Sequence, residues 1–326
     1  TENTETEIET IDAAAEAAND EMITLTPKDA EADEEIKAAA EDAEKNAPKV
    51  DKEYTNVRYA STSPAEVCDI RIPEGDGKFP VMVTIHGGGF VLGDKDDNNI
   101  EPILEASLAH GYATVNAEYR GYDEAPFPVA VADIKGLIRF IKANADQYQF
   151  DAENITVWGV SAGGYLAAMT ALTSNVAELS ADVYDNEGYI GNVQALVDFF
   201  GPLKFTATND YYREMGVSPE QDTSLINFES SFLGFDMNTD LTKANQSWWG
   251  TYVDRLPPGF DIKVWISHGT ADTNVPYPES VHFARELSTV LPADHIHLEL
   301  VEGATHTDPI YYTPENLEKV FQFLQN

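Results

Sequence analysis

From Tyr54 onward, short apolar runs alternate with longer stretches whose apolar residues recur every three or four positions. The runs EVCDIRI, PVMVTIH, YATVNAEY, NITVWGV, VQALVDFF, DIKVWISHG and HIHLELVEG have the length and β-branched content of strands. Between them, NIEPILEASLAHG, PVAVADIKGLIRFIKANADQY, AGGYLAAMTAL, PESVHFARELSTVL and PENLEKVFQFLQ have helical spacing. Strand–helix alternation of this kind predicts an α/β fold with a mostly parallel sheet covered on both faces. The longest interruption, about residues 204–260, is rich in Tyr, Trp and Phe and weakly periodic, so it is expected to be a lid or substrate-binding excursion.

Residues 1–53 have a different texture. They hold 18 acidic residues against five lysines and no aromatic residue. Their Ala/Glu stretches favour helix but carry no continuous apolar stripe, so the segment is expected to be a solvated helix or a disordered tail. The domain division is therefore 1–53 and 54–326. The whole chain carries a formal charge of −37, which makes nucleic acid and anionic membranes poor partners. No apolar run is long enough to span a bilayer. Cys68 is the sole cysteine, which excludes an intrachain disulfide, and it reads as a small buried apolar residue.

The chemistry gathers at the ends of the predicted strands. Gly159-Val160-Ser161-Ala162-Gly163 stands between a strand and a helix with no spacer, the setting in which G-x-S-x-G lifts a serine hydroxyl above a sheet. Helix N–H groups and the positive dipole end then face any negative charge developing there. His86-Gly87-Gly88-Gly89-Phe90 follows another strand, and glycines in succession let backbone amides approach a reacting carbonyl. Gly88, Gly89 and Ala162 are the expected oxyanion donors, with Gly87 a substitute for one of the first two, while His86 is expected to brace the loop. A serine nucleophile needs a base, and the base an orienting acid. His306, after the last strand, and Asp272, in a turn after the strand before it, supply both in the chain order Ser161, Asp272, His306. Asp198 is the alternative acid. His268 is read as a strand-end packing residue.

HGGGF, EYRGYDEAPFPVAVADIK, GVSAGG, VDFFGP, HGTADTNVPY and VEGATH occur in this order. Over about residues 54–326 the chain resembles the α/β-hydrolase superfamily, and within it the HGGG-bearing carboxylesterases that include bacterial acetyl-xylan and feruloyl-type esterases. One departure is Thr305, where relatives often have glycine before the histidine. The resemblance implies an α/β-hydrolase fold and a serine esterase with a Ser–Asp–His triad, a two-loop oxyanion hole and no cofactor or metal. It also implies an ester substrate, either a small ester or an acylated oligosaccharide; acetyl or feruloyl groups on plant polysaccharide are preferred to a broad short-chain carboxylesterase or lipase-like activity. Trp248, Trp249, Tyr211 and Tyr212 are candidates to stack on a sugar or aromatic acyl group, or else form the core of the excursion. Prolyl peptidases share the superfamily but carry a large N-terminal domain that an acidic stretch does not supply. A non-catalytic relative would typically have lost the serine or the histidine, and both are present.

Asp94, Asp96, Asn98 and Glu105 stand at EF-hand-like offsets, but Asn99 takes the place of the turn glycine and the stretch runs into a helix, so helix capping is preferred to a metal site. The acidic, Thr- and Glu-rich start, without an initial Met, looks like a spacer behind a removed export or lipoprotein signal, so a secreted or cell-surface protein is expected, with a cytoplasmic esterase as the alternative.

Overall fold

The architecture comes from a computed structural model that describes residues 22–28, 49–97, 99–218 and 224–326. Among the described residues nine strands form one sheet: β1 (Ile23–Pro27), β2 (Val50–Arg58), β3 (Val67–Pro73), β4 (Phe79–Ile85), β5 (Ala113–Ala117), β6 (Phe150–Val160), β7 (Ala195–Phe199), β8 (Lys263–Gly269) and β9 (Ile296–Glu302). Their spatial order is β1-β9-β8-β7-β6-β4-β5-β3-β2. From β5 across to β1 every pairing is parallel, and only β3 and β2 run against their neighbours.

Side-chain alternation within the buried strands divides the interior into two cores. Val81, Val83 and Ile85 of β4, Ile155 and Val157 of β6, and Val264 and Ile266 of β8 face one side of the sheet. There they meet α2 (Val129–Ala143), α3 (Ala162–Leu172) and α7 (Pro278–Leu287). Met82, Trp158, Val160 and Trp265 face the other side, against α1 (Glu101–Ala109) and α8 (Pro314–Gln325). A strand of period two between helices of period 3.6 must be apolar on both faces, which explains why the central strands read as unbroken apolar runs.

Helix α2 is buried nearly all round, although its sequence suggests a polar outer face. Lys135 Nζ donates to the carbonyls of Thr173 and Val176, 2.8 Å from each, where it meets the negative end of α3. Burial pushes the Lys135 amine down to about 8. Asp133, also on α2, accepts from Arg120 Nη2 at 2.6 Å, and the same guanidinium holds Asp182 at 2.8 Å and lies 3.4 Å from Glu66. Burial pushes the Asp133 carboxyl up to about 6, although the guanidinium opposes the rise.

Part of the acidic stretch expected to be a tail belongs to the fold. Ile23–Pro27 pairs in parallel with β9, and Val50–Glu53 begins β2. Their alternation is mostly polar because each lies at a sheet edge with little to cover it. Just beyond β1, Lys28 pairs with buried Asp308 at 2.7 Å. The remainder of that expectation lies outside the described residues. Among the described residues no helix is long and apolar enough to cross a membrane.

The excursion breaks into short pieces: α4 (Thr208–Glu214), α5 (Ser224–Leu233), α6 (Leu241–Ala244) and several 3-10 segments of three to seven residues. Arg120→Met removes the shared cation from buried Asp133 and Glu66 and should cost about 3–5 kcal/mol in urea unfolding; a loss below about 1 kcal/mol, the range of an exposed pair, would contradict the network's structural role.

Candidate active site

The segments that follow β4, β6, β8 and β9 all emerge at the carboxyl edge of the parallel strands, where open α/β sheets present their sites. After β6 the chain turns at Ser161 with φ 53° and ψ −123° and enters α3 at the next residue. Such a backbone is strained for a residue with a side chain and persists only when its surroundings fix it. They do so by close approach. A Cβ on Gly159 would lie 2.0 Å from the Gly163 carbonyl oxygen, and one on Gly163 would lie 2.1 Å from that of Ile85. The amide of Ser161 donates to the Phe199 carbonyl at 2.8 Å, tying the turn to the next strand.

The hydroxyl so presented meets His306. Ser161 Oγ lies 2.9 Å from Nε2, and Nδ1 lies 2.7 Å from Asp272 Oδ2. The carboxylate can only accept, so Nδ1 carries the proton and Nε2 is left to accept from the serine hydroxyl. Asp272 is fully buried. Its Oδ1 accepts from the amides of Asn274 at 2.8 Å and Val275 at 3.0 Å. Burial alone would raise this carboxyl, but hydrogen bonds from His268 and His306 outweigh it and hold the group well below the usual carboxylate range.

His268 is therefore more than the packing residue expected. Its Nε2 lies 3.0 Å from the Val275 carbonyl and 3.3 Å from Asp272 Oδ2, while Nδ1 lies 2.7 Å from Ser280 Oγ. Asp198, the alternative acid, makes no hydrogen bond to the His306 imidazole, whose nitrogens meet Asp272 and Ser161. Its Oδ1 accepts from the Gly201 amide at 3.0 Å, and burial pushes the carboxyl up to about 7.

The HGGGF loop lies against the serine: a Cβ on Gly87 would lie 3.1 Å from Ser161 Cβ. Gly88 has φ +107°, and a Cβ there would fall 1.7 Å from the Leu92 carbonyl oxygen. The amides of Gly88, Gly89 and Ala162 have no backbone acceptor among the described residues. Beneath the loop, the His86 ring stacks on Tyr119 with centroids 4.4 Å apart. Its nitrogens lie 2.7 Å from the Gly87 carbonyl and 3.0 Å from Glu118 Oε1, and Tyr119 Oη donates to the His86 carbonyl at 3.1 Å. Burial raises the Glu118 carboxyl, yet the bond to His86 and two backbone amides together take it below its ordinary value.

These elements border a cavity of about 320 Å³ that also takes in Phe228 and Glu229 of α5. The aromatic residues expected to touch substrate are not on that cavity. Trp249 and Tyr211 are buried within the excursion. Trp248 donates from its ring N–H to Glu286 at 3.2 Å, and its face lies 3.7 Å from the Lys204 ammonium. Tyr212 is buried, its Oη 3.0 Å from the carbonyls of both Thr273 and Asn274, so it braces the turn that carries Asp272. Packing claimed these rings together with Phe205, Phe232, Leu233, Met237 and Tyr252, which are buried in the same excursion. The Asp94–Glu105 stretch forms turns and then α1: Asp94 accepts from the Asp96 amide at 2.9 Å, Asp97 from the Asn99 amide at 3.0 Å, and Asp96 pairs with Lys95. Asn98 lies outside the described residues. No metal-binding cluster occurs among the described residues.

A strained serine turn beside β6, with acid and base loops after β8 and β9, defines the α/β-hydrolase fold. The BD-FAE family model matches residues 68–287, well over half of the chain, and the chain belongs to that family. It is similar to Esterase LipC of Mycobacterium tuberculosis, 31% identical over 227 residues that cover 70% of this chain and 52% of the relative. It spans about half the length of the curated relatives it matches. Among solved structures, a truncated carbohydrate esterase from gut microbiota superposes with a TM-score of 0.70 at 23% identity, over 86% of this chain and 98% of that one. A bifunctional GH43-CE from Bacteroides eggerthii gives 0.71 at 25% identity, over 84% and 38%.

The buried Asp198 generates a pH-dependent stability. The unfolded carboxyl ionises near pH 4, whereas in the fold it keeps its proton to about pH 7. The stability linked to that proton is complete below the unfolded pKa and lost as pH rises through the folded one. Asp198→Asn keeps an acceptor for Gly201 and never ionises, so it should gain on the parent chain as pH is raised from about 5 to about 8 in urea unfolding; a difference independent of pH would contradict the assignment.

Proposed function

We propose that this protein is a serine carboxylic-ester hydrolase. The observation that carries the reading is the unbroken hydrogen-bonded line from buried Asp272 through His306 to Ser161, at 2.7 and 2.9 Å. Ser161 Oγ attacks the ester carbonyl carbon while His306 Nε2 takes the hydroxyl proton. The carbonyl oxygen, now an anion, is met by the amides of Gly88, Gly89 and Ala162. The tetrahedral species collapses, the C–O bond to the alcohol breaks, and His306 returns the proton to that oxygen. Water then repeats the sequence on the acyl-serine, releasing the acid. Asp272, accepting from Nδ1–H, favours the imidazolium in each half-reaction.

Membership of the BD-FAE family and the esterase names of the relatives support this chemistry. For substrate we favour acetyl or feruloyl-type groups carried by plant polysaccharide, on the resemblance of the HGGGF and GVSAGG motifs and on the carbohydrate esterase that shares the fold. The cavity suits a small acyl group or one sugar-sized unit close to the serine.

Ser161→Ala should reduce turnover of a short nitrophenyl ester by at least about 10⁴-fold while leaving the unfolding midpoint in place; comparable activity in the two chains would end the proposal. Across acetyl-xylan, methyl ferulate and short alkyl acetates, kcat/KM should be higher for acetyl-xylan or methyl ferulate than for the short alkyl acetates. A preference for simple alkyl esters alone would leave the hydrolase reading standing and remove the polysaccharide one.

A further inference from the structure

Helix α5 packs on the oxyanion loop. A Cβ on Gly89 would lie 3.0 Å from the Phe228 ring, and Phe232 stacks on Phe90 with centroids 4.0 Å apart. Between those two contacts the helix turns Glu229 onto the same cavity that Ser161 and His306 border. Glu229 is 1% exposed. Its Oε1 accepts from the Thr208 hydroxyl at 3.0 Å, and its Oε2 has no hydrogen-bond partner among the described residues. A buried polar oxygen left unpaired is costly, and at a substrate cavity the missing partner is naturally the ligand.

Resting on the ester-hydrolase reading, we propose that Glu229 is a specificity-determining residue whose free oxygen pairs with a hydroxyl on the non-reacting part of the ester, so that the substrate is a hydroxylated ester such as a partly acylated sugar or polyol. Burial first, and then the neighbouring Glu279 carboxyl, hold Glu229 well above the ordinary carboxyl range, against the opposing bond from Thr208. A neutral acid both donates and accepts, which matches an alcohol O–H on either side of the bond. A fixed cation would instead require the ionised form, which this setting disfavours. Phe228, Tyr312, Asn99, Asn274 and Asp97 also border the cavity, a mixture of aromatic and polar groups of the kind that meets sugars and polyols.

The test compares glycerol monoacetate, which keeps free hydroxyls, with propyl acetate, which has none. In the parent chain kcat/KM should favour the hydroxylated ester by about tenfold or more; Glu229→Leu should bring the ratio to within about twofold of unity, and Glu229→Gln, with donor and acceptor both retained, should preserve it. A merely structural role would lower both substrates together and leave the ratio alone. A parent ratio near unity, a ratio unmoved in Glu229→Leu, or a preference for an ammonium-bearing ester that disappears in Glu229→Gln would each overturn the proposal. Binding read by saturation-transfer NMR on Ser161→Ala separates the two readings. If the parent hydrolyses neither ester, yet Ser161→Ala binds glycerol monoacetate over propyl acetate and the preference is lost on adding Glu229→Leu, the hydrolase reading falls and the assignment of Glu229 stands.

Discussion

The structure depends on one sharp turn. At Ser161 the backbone is held at positive φ as the chain passes from β6 into α3 with this single residue between them, and glycine at 159 and 163 lets it pass close to the carbonyl oxygens of Gly163 and Ile85. The strain is local; its support comes from the sheet. Pairing β4 on one side and β7 on the other fixes where the turn begins, and the first turn of α3 fixes where it ends. Once the hydroxyl is placed there, the loops after β8 and β9 need only deliver an acid and an imidazole to one point, and the parallel order of the sheet brings them to the same edge.

The groups behind the reacting atoms are as ordered as those in front. Asp272 has two amides on one oxygen and two histidines at the other, while Tyr212 reaches from the excursion to hold the carbonyls of the same turn. A carboxylate so supplied stays ionised although it is buried, which is the state that an imidazolium partner requires. The glycine loop is braced differently, by a stacked His86–Tyr119 pair and Glu118 beneath it. The excursion thus touches both halves of the machinery, through Tyr212 at the acid turn and through Phe228 and Phe232 at the glycine loop.

Much of this was legible in the sequence because it is written locally. Strand runs, helix stripes and the G-x-S-x-G turn depend on residues close together, so β4, β6, β8 and β9 fall within a few residues of their expected bounds, and α3 and α8 coincide with theirs. Ser161, Asp272 and His306 could be chosen because each follows a strand in the order the superfamily uses. What was missed depends on distant partners. Strands β1 and β2 lack an apolar signature because edge strands have little to bury. Nothing beside His268 in the chain announces Ser280 or the Val275 carbonyl, so a lone strand-end histidine looked like filler. The four aromatic residues taken for substrate contacts have the right chemistry for stacking, but an aromatic side chain is equally suited to a core, and only the packing of the excursion distinguishes the two. Glu229 was invisible for the opposite reason: a glutamate followed by two serines reads as solvent-facing, and its burial comes from the helix docking on the glycine loop.

The most direct measurement is the site and rate of covalent capture by a fluorophosphonate, followed by peptide mapping. If the strained turn and its imidazole make one serine the nucleophile, the label will fall on the peptide that holds Ser161, with one adduct per chain, and His306→Ala will slow its formation by orders of magnitude. Labelling spread over other serines, or a rate indifferent to the loss of His306, would contradict the account.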